Sequence, residues 1–253
     1  MRWIRHDVLS GKLTAGTFLN LGSPASVEIA GLAGFDWLLI DLEHGVGDEA
    51  SLMAQLQAAA STPAAPIVRV AWNDVTRFKR VLDLGAAGVM VPYVNSPDEA
   101  RSVVSFVNYP PRGVRGVARF IRASGFGMEF SGYFSEANDN LLTVVQIETP
   151  QAVAKASEIA AVDGIDVLFI GPLDLSSNMG ISQQIDHPDF REAVGQVITA
   201  CRESGKIAGT LVMPGRAEQA VKDGFTFLAV GSDIGAVSAG MKGFASELEK
   251  FRG

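Results

Sequence analysis

The sequence predicts an α/β chain folded as one (β/α)₈, or TIM-type, barrel. Three observations predict it: eight short apolar runs, helical segments between them, and no G-x-G-x-x-G after the first run. The runs fall at 13–19, 37–41, 67–70, 88–92, 142–148, 167–171, 207–212 and 227–231. Several are nearly continuous in Val, Ile, Leu and Phe, as strands buried on both faces of a parallel sheet are. Eight is the strand number that closes a barrel; an open doubly wound sheet is the competing arrangement.

The helices carry start and stop signals. Ser96-Pro97-Asp98-Glu99 is a capping box with Pro at the first helical position. Thr149-Pro150 serves the same purpose before 151–161, and Asp74 caps 75–84 with Gly85 as the stop. A helix at 189–204 ends before Gly205, and Met213-Pro214 leads into another at 215–223. Residues 108–140 break the rhythm, because they are too many for an ordinary connection. They hold Arg112, Arg115, Arg119 and Arg122, whose spacing reads as a solvated or subunit-contact face. No linker, repeat or low-complexity tract divides the 253 residues, so one domain spanning 1–253 is expected.

Composition narrows the function. Lys and Arg number 21 against 28 Asp and Glu, a net charge of -7, which disfavours nucleic acid and anionic membrane surfaces as partners. The single cysteine, Cys201, excludes an internal disulfide and a thiol-ligated structural zinc. Residues 1–10 carry charges and no apolar run, unlike a signal peptide, and no stretch approaches the roughly 20 apolar residues of a membrane span. A soluble cytoplasmic protein is the expectation.

Barrel chemistry sits at the carboxyl ends of the strands. Asp41, Glu43 and His44 end the second run, Arg69 the third, Gln146 and Glu148 the fifth, and Gly171, Pro172, Leu173 and Asp174 follow the sixth. Glu148 and Asp174 suit Mg²⁺ or Mn²⁺, as two carboxylates with positions open to water and substrate. Taken singly, Glu148 is also an acid at a helix start, and Asp174 a cap for Leu175-Ser176. Their places at adjacent strand ends favour the metal.

His44 is either a general base sharpened by neighbouring Asp41 or a loop histidine. Arg69, within an apolar strand, needs anionic partners: an ion pair with Asp83 or Glu43, or a substrate carboxylate or enolate oxygen. Its place near the mouth favours the second. Lys12, Lys79, Lys155, Lys206, Lys222, Lys242 and Lys250 all miss the strand ends, which argues against imine chemistry. His6 and His187 read as structural. Gly231-Ser232-Asp233, after the last run, is a weak candidate for a phosphate site.

Five motifs in order now resemble the HpcH/HpaI aldolase family of metal-dependent (class II) pyruvate aldolases. They are Leu39-Ile40-Asp41-Leu42-Glu43-His44, Val68-Arg69-Val70, Pro110-Pro111-Arg112-Gly113-Val114-Arg115-Gly116, Gln146-Ile147-Glu148-Thr149, and Phe169-Ile170-Gly171-Pro172-Leu173-Asp174-Leu175-Ser176. The resemblance runs from about Gly16 to Val237. It implies that Glu148 and Asp174 ligate Mg²⁺, Mn²⁺ or Co²⁺, and that pyruvate chelates that metal. Arg69 would steady the enolate oxygen, His44 would be the base, and Asp83 would raise its basicity. Gln146 and the stretch from Gly171 through Pro172 and Leu173 to Asp174 would line the pyruvate pocket, with Leu211 against the methyl group. Leu173 departs from the small Ala or Ser that family members often carry before the metal aspartate.

The resemblance further implies a hexamer, a trimer of dimers, whose last helix (232–251 here) is swapped between subunits. Residues 117–122 would reach a neighbour's active site. The implied reaction is reversible cleavage of a 4-hydroxy-2-oxoacid to pyruvate and an aldehyde. Its rivals are a metal-enolate lyase of the citramalyl- or malyl-CoA type, for which the chain has no dedicated CoA-binding extension, and a non-catalytic 2-oxoacid-binding barrel, which would need no base.

Overall fold

The computed structural model describes residues 2–252; Met1, Gly253 and the side chain of Lys250 lie outside the described residues. Eight parallel strands close a barrel in sequence order: β1 (Thr14–Leu19), β2 (Trp37–Asp41), β3 (Ala65–Arg69), β4 (Gly88–Val91), β5 (Leu142–Ile147), β6 (Val167–Ile170), β7 (Ile207–Val212) and β8 (Phe227–Ser232). Every predicted run overlaps its strand, with no end displaced by more than two residues; β3 starts two residues before its run and β8 ends one residue after its own. The barrel prevails over the open sheet because β8 pairs with β1, Thr14 opposite Phe227.

Side chains alternate between two cores, as the two-residue period of a strand requires. Leu38, Ile40, Val68, Val89, Val145, Ile147, Leu168 and Ile170 face outward and pack under the helices. Trp37, Leu39, Ile67, Met90, Val144, Phe169, Phe227 and Ala229 fill the interior. Trp37 stacks on Phe227 at 4.1 Å between ring centroids, Phe227 meets Phe169 edge-on, and Phe169 lies 6.1 Å from Phe18. Ile4 and Val8 join this core from the helix Arg5–Leu9. The tie from Arg5 to Asp166, with Arg5 Nε 2.9 Å from Oδ2, fixes that helix.

Caps stop and start the helices largely where the residue types indicate. Asp74 accepts from Thr76 N, and Gly85 ends that helix in the left-handed region at φ 101°. Ser96 and Thr149 cap Pro97–Val107 and Pro150–Ala154. Three expectations need correction. The helix at 151–161 divides at Lys155, whose backbone (φ −106°, ψ 11°) leaves helical values. The helix at 215–223 begins two residues later, as Ala217–Asp223, because Gly215 sits in a turn at φ 90°. Residues 108–140 are not one irregular loop: a 3₁₀ segment, Arg122–Gly127, and a full helix, Phe130–Asn140, lie within them.

The arginines of that stretch do not share a face. Arg115 is fully buried against Tyr109 and Tyr133 and pairs with Asp83, whereas Arg112 meets Asp139 at the surface. Arg122 donates to the carbonyls of Leu84 and Leu56. Among the described residues, no helix is long and apolar enough to cross a membrane.

Gly16 makes room for the aromatic floor: a Cβ there would fall 2.1 Å from the Trp37 indole. Overpacking of this kind costs about 1–3 kcal/mol. Gly16→Ala is therefore expected to lower the urea-unfolding midpoint, and an unchanged midpoint would show that the floor relaxes freely.

Candidate active site

The inward row of each strand turns polar at its carboxyl end. Asp41 follows Trp37 and Leu39, Arg69 follows Ala65 and Ile67, and Gln146 and Glu148 follow Leu142 and Val144. The same alternation that builds the apolar floor thus aims these groups into the mouth. All four are buried.

Asp41 and Arg69 are direct partners in the β2–β3 register. The pair is bidentate, with Arg69 Nε 2.8 Å from Asp41 Oδ1 and Nη2 2.7 Å from Oδ2. Nη1 lies 2.9 Å from Glu43 Oε2, and the guanidinium rests over the Phe18 ring at 5.1 Å. Asn20 Nδ2 and the Glu43 N–H also donate to Asp41. Burial pushes the Asp41 carboxyl up, but the Arg69 hydrogen bonds and charge outweigh it and hold the group below its ordinary value.

Arg69 is thus tied to Asp41 and Glu43, with Asp83 elsewhere: within the chain that carboxylate takes Arg115 Nη2 at 2.8 Å. No intrachain contact joins Asp83 to the His44 imidazole among the described residues. Asp41 does not face that imidazole either. It accepts from the His44 backbone N–H, while the ring Nε2 lies 3.7 Å from Glu43 Oε1. Glu43, pushed up by burial, is therefore the acid beside His44. The imidazole is 64% exposed, at the rim.

Glu148 lies deeper. Gln146 Nε2 donates to Oε1 at 2.8 Å and the Tyr93 backbone N–H donates to Oε2 at 3.0 Å. Gly171 leaves the space this carboxylate occupies, since a Cβ there would stand 2.4 Å from Oε1. Thr149, not Glu148, caps the next helix. Burial first, then the charges of Asp174 and Glu43, raise the Glu148 carboxyl to about 8. Asp174 sits in the first turn of Pro172–Asn178, half-buried, with Tyr93 Oη donating to Oδ1 at 3.2 Å. Leu173 beside it is exposed, Pro172 is half-buried and Leu211 packs on the interior core.

Tyr93 escapes a reading of strand ends by charge. It follows Val91-Pro92 at the end of β4 and carries no formal charge. A strand-end tyrosine after proline was the available signal. Gly231-Ser232-Asp233 is not an open anion site: the Asp233 carboxylate itself accepts from Asn20 N and Ser26 Oγ, and Ser232 caps the last helix. His187 caps Pro188–Ser204, a structural role.

Linkage gives Glu148 a consequence for the metal-free chain. Its proton is held to about pH 8 when folded, against an ordinary value of 4.5. Between those values the folded state binds more protons than the unfolded one, so this group's stabilisation, full below 4.5, fades as pH rises through 8. In EDTA, urea midpoints are expected to fall more steeply from about pH 5 to about pH 8 in the parent chain than in Glu148→Gln. Parallel profiles would refute the assignment.

The model of the HpcH/HpaI aldolase/citrate lyase family matches residues 14–239. A 4-hydroxy-2-oxo-heptane-1,7-dioate aldolase of Salmonella dublin is 39% identical over 94% of this chain and 90% of its own length. The protein of the same name from Escherichia coli is 40% identical over 88% of this chain and 86% of its own. The crystal structure of a family protein from Burkholderia cenocepacia J2315 superimposes with a TM-score of 0.91 at 32% identity, covering 99% of both chains. By this match over most of its length, the chain belongs to the HpcH/HpaI aldolase/citrate lyase family.

Proposed function

We propose that this chain is a metal-dependent aldolase that reversibly cleaves a 4-hydroxy-2-oxoacid to pyruvate, or a close 2-oxoacid, and an aldehyde. The observation that carries this reading is the buried Glu148 carboxylate beside Asp174, an acidic pair without a cation of its own. Arg69 is already paired with Asp41 and Glu43, its charge offsets only part of the rise at Glu148, and among the described residues no salt bridge reaches Glu148 or Asp174. Burial of such a pair is costly unless a cation joins it. Among the described residues no group of three or more His, Cys, Asp or Glu side chains could hold a metal ion. Two carboxylates alone suit Mg²⁺, Mn²⁺ or Co²⁺, with the remaining positions left to solvent and substrate.

When bound, the cation supplies Lewis-acid stabilisation of negative charge on the 2-oxoacid oxygens. The protein's own groups account for the rest. Arg69 is fixed by its two acids, yet a guanidinium carries five N–H donors, so it keeps donors for an enolate oxygen. Its orientation is set before substrate arrives. His44, at the rim, takes the proton of the substrate 4-hydroxyl, and Glu43 beside the ring stabilises the imidazolium. The C3–C4 bond then breaks, the aldehyde leaves, and the electron pair passes into the enolate. A proton delivered to C3 yields pyruvate. Gln146 orients Glu148 and offers its buried, unpartnered Oε1 as an acceptor in the pocket. Gly171, Pro172, Leu173 and Leu211 shape the apolar side.

Pyruvate release coupled to lactate dehydrogenase, over a panel of 4-hydroxy-2-oxoacids, tests the reading. Stripping with EDTA should abolish turnover and added Mg²⁺ or Mn²⁺ restore it. Glu148→Gln and Asp174→Asn should each cut kcat by roughly 10²–10³. Full activity without metal, or an imine trapped by borohydride, would overturn the mechanism.

The same reading extends to assembly as a hexamer with the last helix exchanged between subunits. The helix Asp233–Ser246 has no buried residue, and Ile234, Val237, Met241 and Phe244 are exposed along it. Apolar side chains spaced three or four apart along a helix normally seek a partner. Light scattering should give a hexameric mass that Phe244→Asp reduces; a monomeric parent chain would contradict this.

A further inference from the structure

We propose that Tyr93 is a positioning residue that braces both carboxylates of the acidic pair, Glu148 through its backbone and Asp174 through its phenol. This rests on the reading of Glu148 and Asp174 as metal ligands and extends it to a residue outside the donor set. One residue reaches both acids. Its N–H donates to Glu148 Oε2 at 3.0 Å and its hydroxyl to Asp174 Oδ1 at 3.2 Å. The two acids come from the ends of neighbouring strands, after β5 and after β6, and the brace ties both of them to the segment that follows β4.

The backbone explains how one residue does this. Tyr93 lies in the left-handed region at φ 52°, where a bulky side chain is uncommon. Such a conformation persists where its surroundings over-determine it, and here they do. The Tyr93 carbonyl accepts from Asn95 Nδ2 at 2.8 Å, the Val94 N–H donates to the Gln146 carbonyl, and the Asn95 side chain is bonded by Thr149. The ring stacks on Trp72, 5.9 Å between centroids. Asn178 Nδ2 donates to the Glu148 carbonyl at 2.9 Å and closes the same loop cluster from the β6 side. Glycine would reach this φ without strain but would leave Asp174 without its donor.

Hydrogen-bond partners that orient metal ligands typically change metal affinity about 10- to 100-fold. Calorimetric titration of Mn²⁺ into EDTA-stripped protein is the test. Tyr93→Phe deletes only the hydroxyl, and Tyr93→Gly removes the ring while keeping the N–H and the left-handed backbone. Both should bind Mn²⁺ at least about tenfold more weakly, with the metal-free melting temperature of Tyr93→Phe unchanged. Mn²⁺ affinity in Tyr93→Phe equal to the parent overturns the brace, as does a loss that merely tracks a fall in metal-free melting temperature. If the parent chain binds no Mn²⁺, the metal reading itself fails, an outcome distinct from a parent that binds and a variant that binds equally well.

Discussion

Arg69 enters the barrel on the inward row of β3 and finds Asp41 directly across the register, with Glu43 two residues further on. A guanidinium at this depth is tolerable only because Asp41 meets it in a bidentate hydrogen bond and Glu43 adds an ion pair. The rest of the mouth depends on that arrangement. It holds the Asp41–Glu43–His44 turn against β3, sets the imidazole at the rim, and closes the aromatic floor through Phe18. It also engages the Arg69 guanidinium, whose charge then offsets only part of the rise at Glu148. The acidic pair is thus a consequence of the ion pair beside it as much as of its own residues.

The two carboxylate groups show opposite responses to similar burial. Asp41 falls below its ordinary range because a cation touches both oxygens. Glu148 rises to about 8 because only a backbone N–H and an amide touch it, and the nearest acids repel its charge. A site that keeps one acid protonated until a cation arrives takes up metal in exchange for protons. This links the sheet register to the chemistry proposed for the mouth.

Much of the fold was legible because buried parallel strands are written as apolar runs, so 37–41 and 207–212 were read to the residue. Glu148, Asp174, Arg69 and Gln146 were legible for a related reason, since a polar residue ending such a run has few places to point but the mouth. What escaped depends on distance in the sequence. Asp83 meets Arg115 because residues after Asn108 fold back over the helix Val75–Leu84, and no local pattern encodes that return. The choice of Asp41 as partner for Arg69 follows from strand register, which is set by the closure of the whole sheet. Tyr93 acts through a backbone N–H at positive φ, and a side-chain inventory does not register it.

Proton release on cation binding is the direct signature of Glu148 as the buried ligand. At about pH 7 a Glu148 carboxyl with a value of about 8 is mostly protonated. Mn²⁺ titrated calorimetrically in buffers of differing ionisation enthalpy should therefore bind one site and expel close to one proton. The release should fade toward about pH 9, and binding should be lost in Glu148→Gln. Mn²⁺ binding with no proton released at neutral pH, or binding undiminished in that variant, would contradict the assignment of Glu148 as the buried ligand.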